Sequence, residues 1–208
     1  MRTTVLLLCI IAPVLLLADE ISVLPAQDAY TCDCAPNSTN PNGGFTYLYQ
    51  GRVGNCYCNY FIEWDLSFIE PGTILDSAEI WIYCKSFTGS PGGGNPAYYL
   101  INESWDENTI TYNTMPSWSD SISVTTDWPV ASSWHVIDIT EFVQGWVDGT
   151  FENHGIFAHV EDTPGTSCPG FFSSNYSIAD RKPYLLVTGT GLSFEQATWG
   201  NIKVREKL

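Results

Sequence analysis

The chain has 208 residues, with 23 acidic against 8 basic side chains and a formal net charge of −15. That charge repels nucleic-acid phosphates and anionic lipid headgroups, which excludes DNA, RNA and anionic membrane surfaces as partners. The imbalance is concentrated: Asp19 to Asp180 holds 21 acidic residues and two basic ones, Arg52 and Lys85.

The N-terminus reads as an export signal. Met1-Arg2-Thr3-Thr4 precedes an apolar run from Val5 to Leu17, a small residue at Ala18 and a polar chain from Asp19. The run is 13 residues long and contains Pro13, short of the roughly 20 needed to span a bilayer. The expected organisation is a signal peptide over 1–18, one domain over 19–190 and a tail over 191–208, with no membrane span after cleavage. About 190 residues suffice for a single core.

Six cysteines remain beyond the leader: Cys32, Cys34, Cys56, Cys58, Cys84 and Cys168. An even number in an exported chain favours disulfides. In two Cys-x-Cys pairs on antiparallel strands, each pair shares a face, so Cys32 can meet Cys58 while Cys34 meets Cys56. A four-thiolate zinc site is the competing reading, although zinc motifs usually space their ligands by two to four residues. A Cys84–Cys168 bridge follows only by elimination.

In chain order, Leu24 to Cys34 reads as a first strand, ended by a turn-rich stretch through Gly44. Phe45 to Gln50 is a second strand with Tyr47 and Tyr49 on one face, and 51–55 is a hairpin turn. Cys56 to Leu66 is a third strand, with Tyr60, Ile62, Trp64 and Leu66 turned inward. In the fourth, Ala78, Ile80, Ile82 and Cys84 face one way and Glu79, Trp81, Tyr83 and Lys85 the other. A Gly/Pro-rich excursion over 88–96 reads as an exposed loop. Ala97 to Asn102 resumes a strand, a turn at Trp105 leads to a short strand ending at Asn113, and 115–133 reads as a looser polar section.

The most structured stretch is Trp134 to Gly155. It opens as a strand, then Thr140 stands as N-cap before Glu141, with Phe142, Val143 and Trp146 at helical spacing and Gly149 as terminator. Ile156 to Val160 follows as a strand, 163–170 as a loop, and Phe171 to Ser174 and Tyr184 to Thr188 as the last strands. Short, evenly spaced strands with one helix argue for an all-β jelly-roll sandwich. Trp64, Trp105, Trp134 and Trp146 are assigned to its core.

Several segments in this order resemble a known family. They are Asp28-Ala29-Tyr30 with the turn at Asn40 to Gly44, Ile62-Glu63-Trp64-Asp65-Leu66-Ser67, Ser77-Ala78-Glu79-Ile80-Trp81-Ile82-Tyr83, and Trp105-Asp106-Glu107 with Thr109 to Asn113 and Pro116. Asp138-Ile139-Thr140 with Trp146, Gly149, Asn153 and Gly155, and Arg181-Lys182-Pro183-Tyr184-Leu185, complete the set. Over roughly Leu24 to Thr188 the chain resembles secreted DNRLRE-type domains, which overlap carbohydrate-binding module family 96 and the disaggregatase-related domains. The resemblance implies a β-sandwich of exported proteins, often appended to polysaccharide-active enzymes, with some members binding acidic polysaccharides such as alginate. Here Glu63 stands where a basic residue is common, and Ser174-Asn175 replaces an Arg-Glu pair. A polyanion binder needs cations to offset its ligand, so the expected ligand is a neutral or cation-bridged glycan.

No histidine sits in a catalytic motif: His135 and His159 fall in strands and His154 in a turn, positions that favour structural roles. Carboxylate pairs such as Asp106 and Glu107 arise readily in so acidic a chain. The reading is therefore non-catalytic. Sugars present flat apolar faces ringed by hydroxyls and call for aromatic platforms with polar neighbours. Trp81 and Tyr83 with Tyr47 and Tyr49 are the first candidates; Trp118 and Trp128, with Tyr98 and Tyr99 taken as loop residues, are the second. No cofactor is required. Calcium is the ion the loops would suit, with Asp138, Asp148 and Asn153 as candidate ligands and helix capping as their simpler role. The tail can serve as a recognition segment or pack as a short helix through Phe194, Trp199 and Ile202.

The expected protein is thus a secreted binding module whose partner is extracellular polysaccharide or a cell-surface protein. The competing class is a disulfide-hardened structural subunit of a surface assembly.

Overall fold

A computed structural model describes residues 19–39, 45–161, 165–190, 192 and 202–203. Residues 1–18, expected to be a signal peptide, the tip of the Asn/Gly turn, and Phe194 and Trp199 of the tail lie outside the described residues. Among the described residues thirteen strands and one α-helix succeed one another: β1 (Asp19–Val23), β2 (Gln27–Cys32), β3 (Tyr47–Tyr49), β4 (Gly51–Val53), β5 (Cys56–Glu63), β6 (Leu75–Gly89), β7 (Pro96–Ile101), β8 (Trp118–Thr125), β9 (Ser133–Asp138), α1 (Thr140–Val147), β10 (Ile156–Val160), β11 (Ser167–Phe172), β12 (Tyr184–Gly189) and β13 (Ile202–Lys203). Among the described residues no helix is long and apolar enough to cross a membrane.

The long strand β6 organises one side. Its first half pairs with β12 on one edge and β9 on the other; β1 and then β13 extend the sheet beyond β12. The other side is built on β5, which pairs with β2, β4 and β10, and continues through β7 to β8. β11 joins the two, pairing with the second half of β6 and with β3 and β4. Alternate residues from both sides meet in one core that holds Ile80, Ile82, Ile137 and Val187 together with Tyr60, Ile62, Tyr98 and Ile156. This is the all-β sandwich that the strand spacing predicts. Inward Trp64 and Ala78-x-Ile80-x-Ile82-x-Cys84 are all fully buried, as their period-2 pattern requires.

The helix closes the core through Phe142, Val143 and Trp146. Its capping differs from the sequence expectation. Thr140 is the first helical residue, and Asp138 Oδ1 accepts hydrogen bonds from both its N–H (2.9 Å) and its hydroxyl (2.6 Å). The Thr140 oxygen in turn accepts from Ala78 N–H at 2.9 Å, so the Asp–Thr pair ties the helix start to β6. Gly149, at φ 71°, ends the helix as predicted. Gly155 is held at φ 79° with the Ile62 carbonyl against the position of any Cβ. Gly155→Ala is therefore expected to destabilise the fold by about 2–3 kcal/mol, read from urea midpoints.

Five further expectations are corrected. Cys84 and Cys168 are free, buried thiols. In the β6–β11 ladder Cys168 lies opposite Thr88 while Cys84 lies opposite Phe171. Four residues along a strand is about 13 Å, beyond the reach of a disulfide. The polar section 115–133 contains β8, whose partner is β7; as an outer strand it needs backbone pairing more than apolar alternation, and only Ile122 and Val124 pack on the core. The segment 163–170 is strand from Ser167 onward, and 109–113 ends in a 3-10 turn, Tyr112–Thr114, instead of a strand. In the tail, Ile202 and Lys203 are extended and pair with Val23 and Ser22, so these two residues add a strand and not a helix.

The two predicted disulfides are present. Cys32 pairs with Cys58 and Cys34 with Cys56, with Cα atoms 4.2 and 5.1 Å apart. Cys32 and Cys58 are direct partners in the β2–β5 ladder.

Candidate functional site

The two outer faces of the sandwich differ. Over β5, β10 and β7, a second small core of Ala29, Phe61, Ile101, Ile110 and Phe157 is covered by Tyr99, Trp105 and Met115. Trp105 anchors that cover by donating its indole N–H to the His154 carbonyl at 2.9 Å. Among the described residues, the outer face of β6 and its neighbours carries no such second core. Alternation along β6 turns Trp81 and Tyr83 outward, and register brings other rings beside them.

Trp81 stacks nearly parallel to Tyr184 of β12, with centroids 5.9 Å apart and planes at 9°. Trp134 of β9 meets Trp81, Tyr83 and Tyr184 edge-on at 6.2, 5.5 and 5.6 Å. Tyr83 lies along Phe172 of β11 at 5.6 Å, and Phe172 stacks on Tyr176 at 3.6 Å. Tyr47 of β3 completes the row, 5.9 Å from Phe172. The result is one aromatic strip across five strands, in which Tyr47, Trp81, Tyr83, Trp134 and Tyr176 are half-exposed and Phe172 and Tyr184 are buried. Edge-to-face and offset contacts of this kind rigidify rings beyond their burial.

Two of the few cations of this acidic chain lie on the strip. The Lys85 ammonium sits 3.9 Å from the Tyr47 ring centre and the Arg181 guanidinium 4.9 Å from that of Tyr83, both within cation–π range. Glu79 accepts the Trp81 indole N–H at 3.0 Å, and the Tyr83 hydroxyl donates to the Ser132 carbonyl at 2.9 Å. The strip thus combines ring surface with N–H donors and a carboxylate acceptor, a combination suited to hydroxyl-rich ligands with apolar faces.

The first-choice residues Trp81, Tyr83 and Tyr47 are brought together. Tyr49 shares the face of Tyr47 but turns to Tyr30, 5.1 Å away. The second-choice residues are scattered. Trp118 is 40% exposed on β8 and packs on Phe157 at 4.5 Å; Trp128 meets Phe87 edge-on at 5.5 Å. Tyr98 is a fully buried residue of β7 and not a loop residue, and Tyr99 belongs to the cover of the second core. Trp134 belongs to the strip and not to the core. Since Ile137 points inward, alternation along β9 alone places Trp134 outward. Tyr184, outward beside buried Leu185, was legible in the same way. Phe172, Tyr176 and Arg181 required the tertiary pairing.

Asp138 and Asp148 flank opposite ends of α1, whose eight residues span about 12 Å at 1.5 Å per residue. Asp148 accepts from Gln144 Nε2 at 3.0 Å, and Asn153 accepts from Gly155 N–H at 3.1 Å while donating to the Trp64 carbonyl at 2.8 Å. The three candidate calcium ligands are therefore apart. Each histidine has a polar neighbour: His135 the Tyr98 and Thr126 hydroxyls, His154 the Glu152 carboxylate, His159 the Asn59 side chain. Burial holds His135 down to about 4 and lowers His159 as well.

The model of carbohydrate-binding module family 96 matches residues 20–189, nearly the whole of the described sandwich. No curated protein matches the chain.

Proposed function

The chain belongs to carbohydrate-binding module family 96, and from that premise we propose that it holds an extracellular glycan, without chemistry, on the strip formed by Trp81, Tyr83, Tyr47 and Trp134. The observation that carries the reading is the convergence of these half-exposed rings from separate strands onto the outer face that lacks a second core. Stacking supplies apolar contact to the sugar faces, while Lys85, Arg181 and Glu79 supply hydrogen bonds to hydroxyls. The net charge of −15 disfavours a polyanion, so the ligand is a neutral or cation-bridged polysaccharide. The paired disulfides suit action outside the cell.

Affinity electrophoresis through gels containing neutral polysaccharides tests this. The wild-type domain is expected to be retarded, Trp81→Ala to bind at least tenfold more weakly, and Trp118→Ala to bind as wild type. The reverse order would move the site to β8. Repeating the gels with calcium or with a chelator decides whether an ion takes part.

A further inference from the structure

We infer that Tyr176 forms an end subsite of the aromatic strip, engaged only by longer glycan chains, and that buried Asp28 is its positioning residue. This rests on the strip as the binding face and adds the length of ligand which that face reads.

Strand register sets the length of the platform. Tyr47 lies opposite Phe172 and Tyr83 opposite Trp134, and the stacking of Phe172 on Tyr83 joins the two pairs. The row therefore crosses β3, β11, β6 and β9, three strand spacings or about 14 Å from end to end. That exceeds one sugar ring, so the face suits an extended chain and not a single unit. Towards the β3 end, Phe172 is only 2% exposed and offers no face to a ligand. Tyr176 stacks on it at 3.6 Å, is half-exposed, and presents its own ring there. Tyr47 stands beside it at 6.3 Å.

Tyr176 lies beyond the end of β11, in a turn, so its ring is placed only as firmly as that turn is held. Ser173 is one anchor. Its N–H and hydroxyl donate to the Thr46 and Phe45 carbonyls at 3.1 and 2.6 Å, and its carbonyl accepts from Tyr176 N–H at 3.1 Å. Asp28 is the other. Its Oδ2 accepts from Ser174 N–H at 2.6 Å, and Glu107 Oε2 accepts from the N–H of Asp28 itself at 3.1 Å. Asp28 is 1% exposed, and its Oδ1 has no partner among the described residues. Such a group costs stability where an apolar side chain of its size would not. What the carboxyl supplies instead is an acceptor under the turn that carries Tyr176.

NMR titration of the full domain with β-1,4-linked disaccharides and hexasaccharides of glucose, mannose and xylose tests this. At least one hexasaccharide should bind the wild type about tenfold more tightly than its disaccharide. Tyr176→Ala should weaken the hexasaccharide roughly three- to tenfold and leave the disaccharide unchanged. Asp28→Ala should reproduce that selective loss and add nothing to Tyr176→Ala. Asp28→Asn, whose amide oxygen keeps the acceptor for Ser174, should restore wild-type binding. A merely structural role would weaken both lengths alike. Should Asp28→Ala not fold, the wild type decides: the Ser174 amide and Tyr176 ring signals should shift together with the hexasaccharide and stay fixed with the disaccharide. Equal affinity for both lengths, wild-type binding by Tyr176→Ala, equal loss of both lengths in folded Asp28→Ala, or absence of the paired shift would overturn the subsite while leaving the strip. Wild-type protein that binds none of these sugars, or binding that Trp81→Ala leaves untouched, would sink the strip itself and the subsite with it.

Discussion

Asp28→Asn is expected to stabilise the protein at pH 8 by about 2–3 kcal/mol and to destabilise it by about 1–2 kcal/mol at pH 4. Asp28 is 1% exposed on β2. Burial pushes its carboxyl from 3.8 up to about 7, against the bond its Oδ2 accepts from Ser174 N–H at 2.6 Å; nearby Glu107 also raises it and Lys182 lowers it. Because the folded value lies above the unfolded one, the native state binds the extra proton. The associated stability is full below about 4 and is lost as pH rises towards 7. A shift of about three units corresponds to about 4 kcal/mol. The amide keeps the acceptor for Ser174 without a charge, but its NH₂ must sit where Oδ1 has no partner, a cost of about 1–2 kcal/mol. Hence the change of sign.

His135 works in the opposite sense. Its folded value of about 4 lies below the ordinary 6.5, so its contribution is full above 6.5 and is lost as pH falls to about 4. That loss amounts to about 3 kcal/mol. His159, lowered by the same cause, adds to it. Between pH 4 and 6.5 the slopes of Asp28 and His135 cancel in the wild type, and Asp28→Asn should uncover a steady loss on acidification. Urea midpoints from pH 4 to 8, at constant m, read both effects. A variant whose stability tracks the wild type at every pH would show that Asp28 does not titrate in this window.

Reducing both disulfides is expected to cost roughly 3–4 kcal/mol, whereas Cys34→Ser with Cys56→Ser should cost no more than about 1 kcal/mol. The outer bridge joins residues 26 apart and the inner one residues 22 apart, nested within it. Either bridge alone closes the large loop and removes most of the unfolded chain's freedom. Once it has formed, the second closes only the few residues between them. Unfolding of the double serine variant, compared with the fully reduced protein, measures the difference. Equal losses in the two would mean that each bridge acts locally, by holding the β2–β5 end in place. The free thiols of Cys84 and Cys168, both pushed up to about 11 by burial, should stay unreactive until the fold opens.

Within single strands the chain was legible. The alternation along β6 separated Ile80 and Ile82 from Trp81 and Tyr83, and the two Cys-x-Cys pairs allowed a register that the structure then selected as Cys32–Cys58 and Cys34–Cys56. Both are local rules: residues two apart share a face, and two matched pairs fix one antiparallel register. The same rule, applied to β9, places Trp134 with the strip and not in the core expected for it. β8 was not legible, because an outer strand is held by backbone pairing to which Ser119 and Ser123 contribute as well as any apolar residue.

What the sequence determined by itself is therefore the all-β class, the position of the helix, a register in which the two Cys-x-Cys pairs can meet, and the outward face of β6. What only the tertiary structure decided is which strands lie beside that face. Phe172 reaches Tyr83, with Tyr176 stacked on it, because β11 pairs with the far half of β6, and Lys85 and Arg181 settle on rings far from them in the chain. The same pairing parts Cys84 from Cys168, and the helix brings Trp146 to Trp64 across one cleft. Alternation is set by the covalent geometry of one strand, whereas neighbours and register are set by which distant edges meet when the whole core is buried.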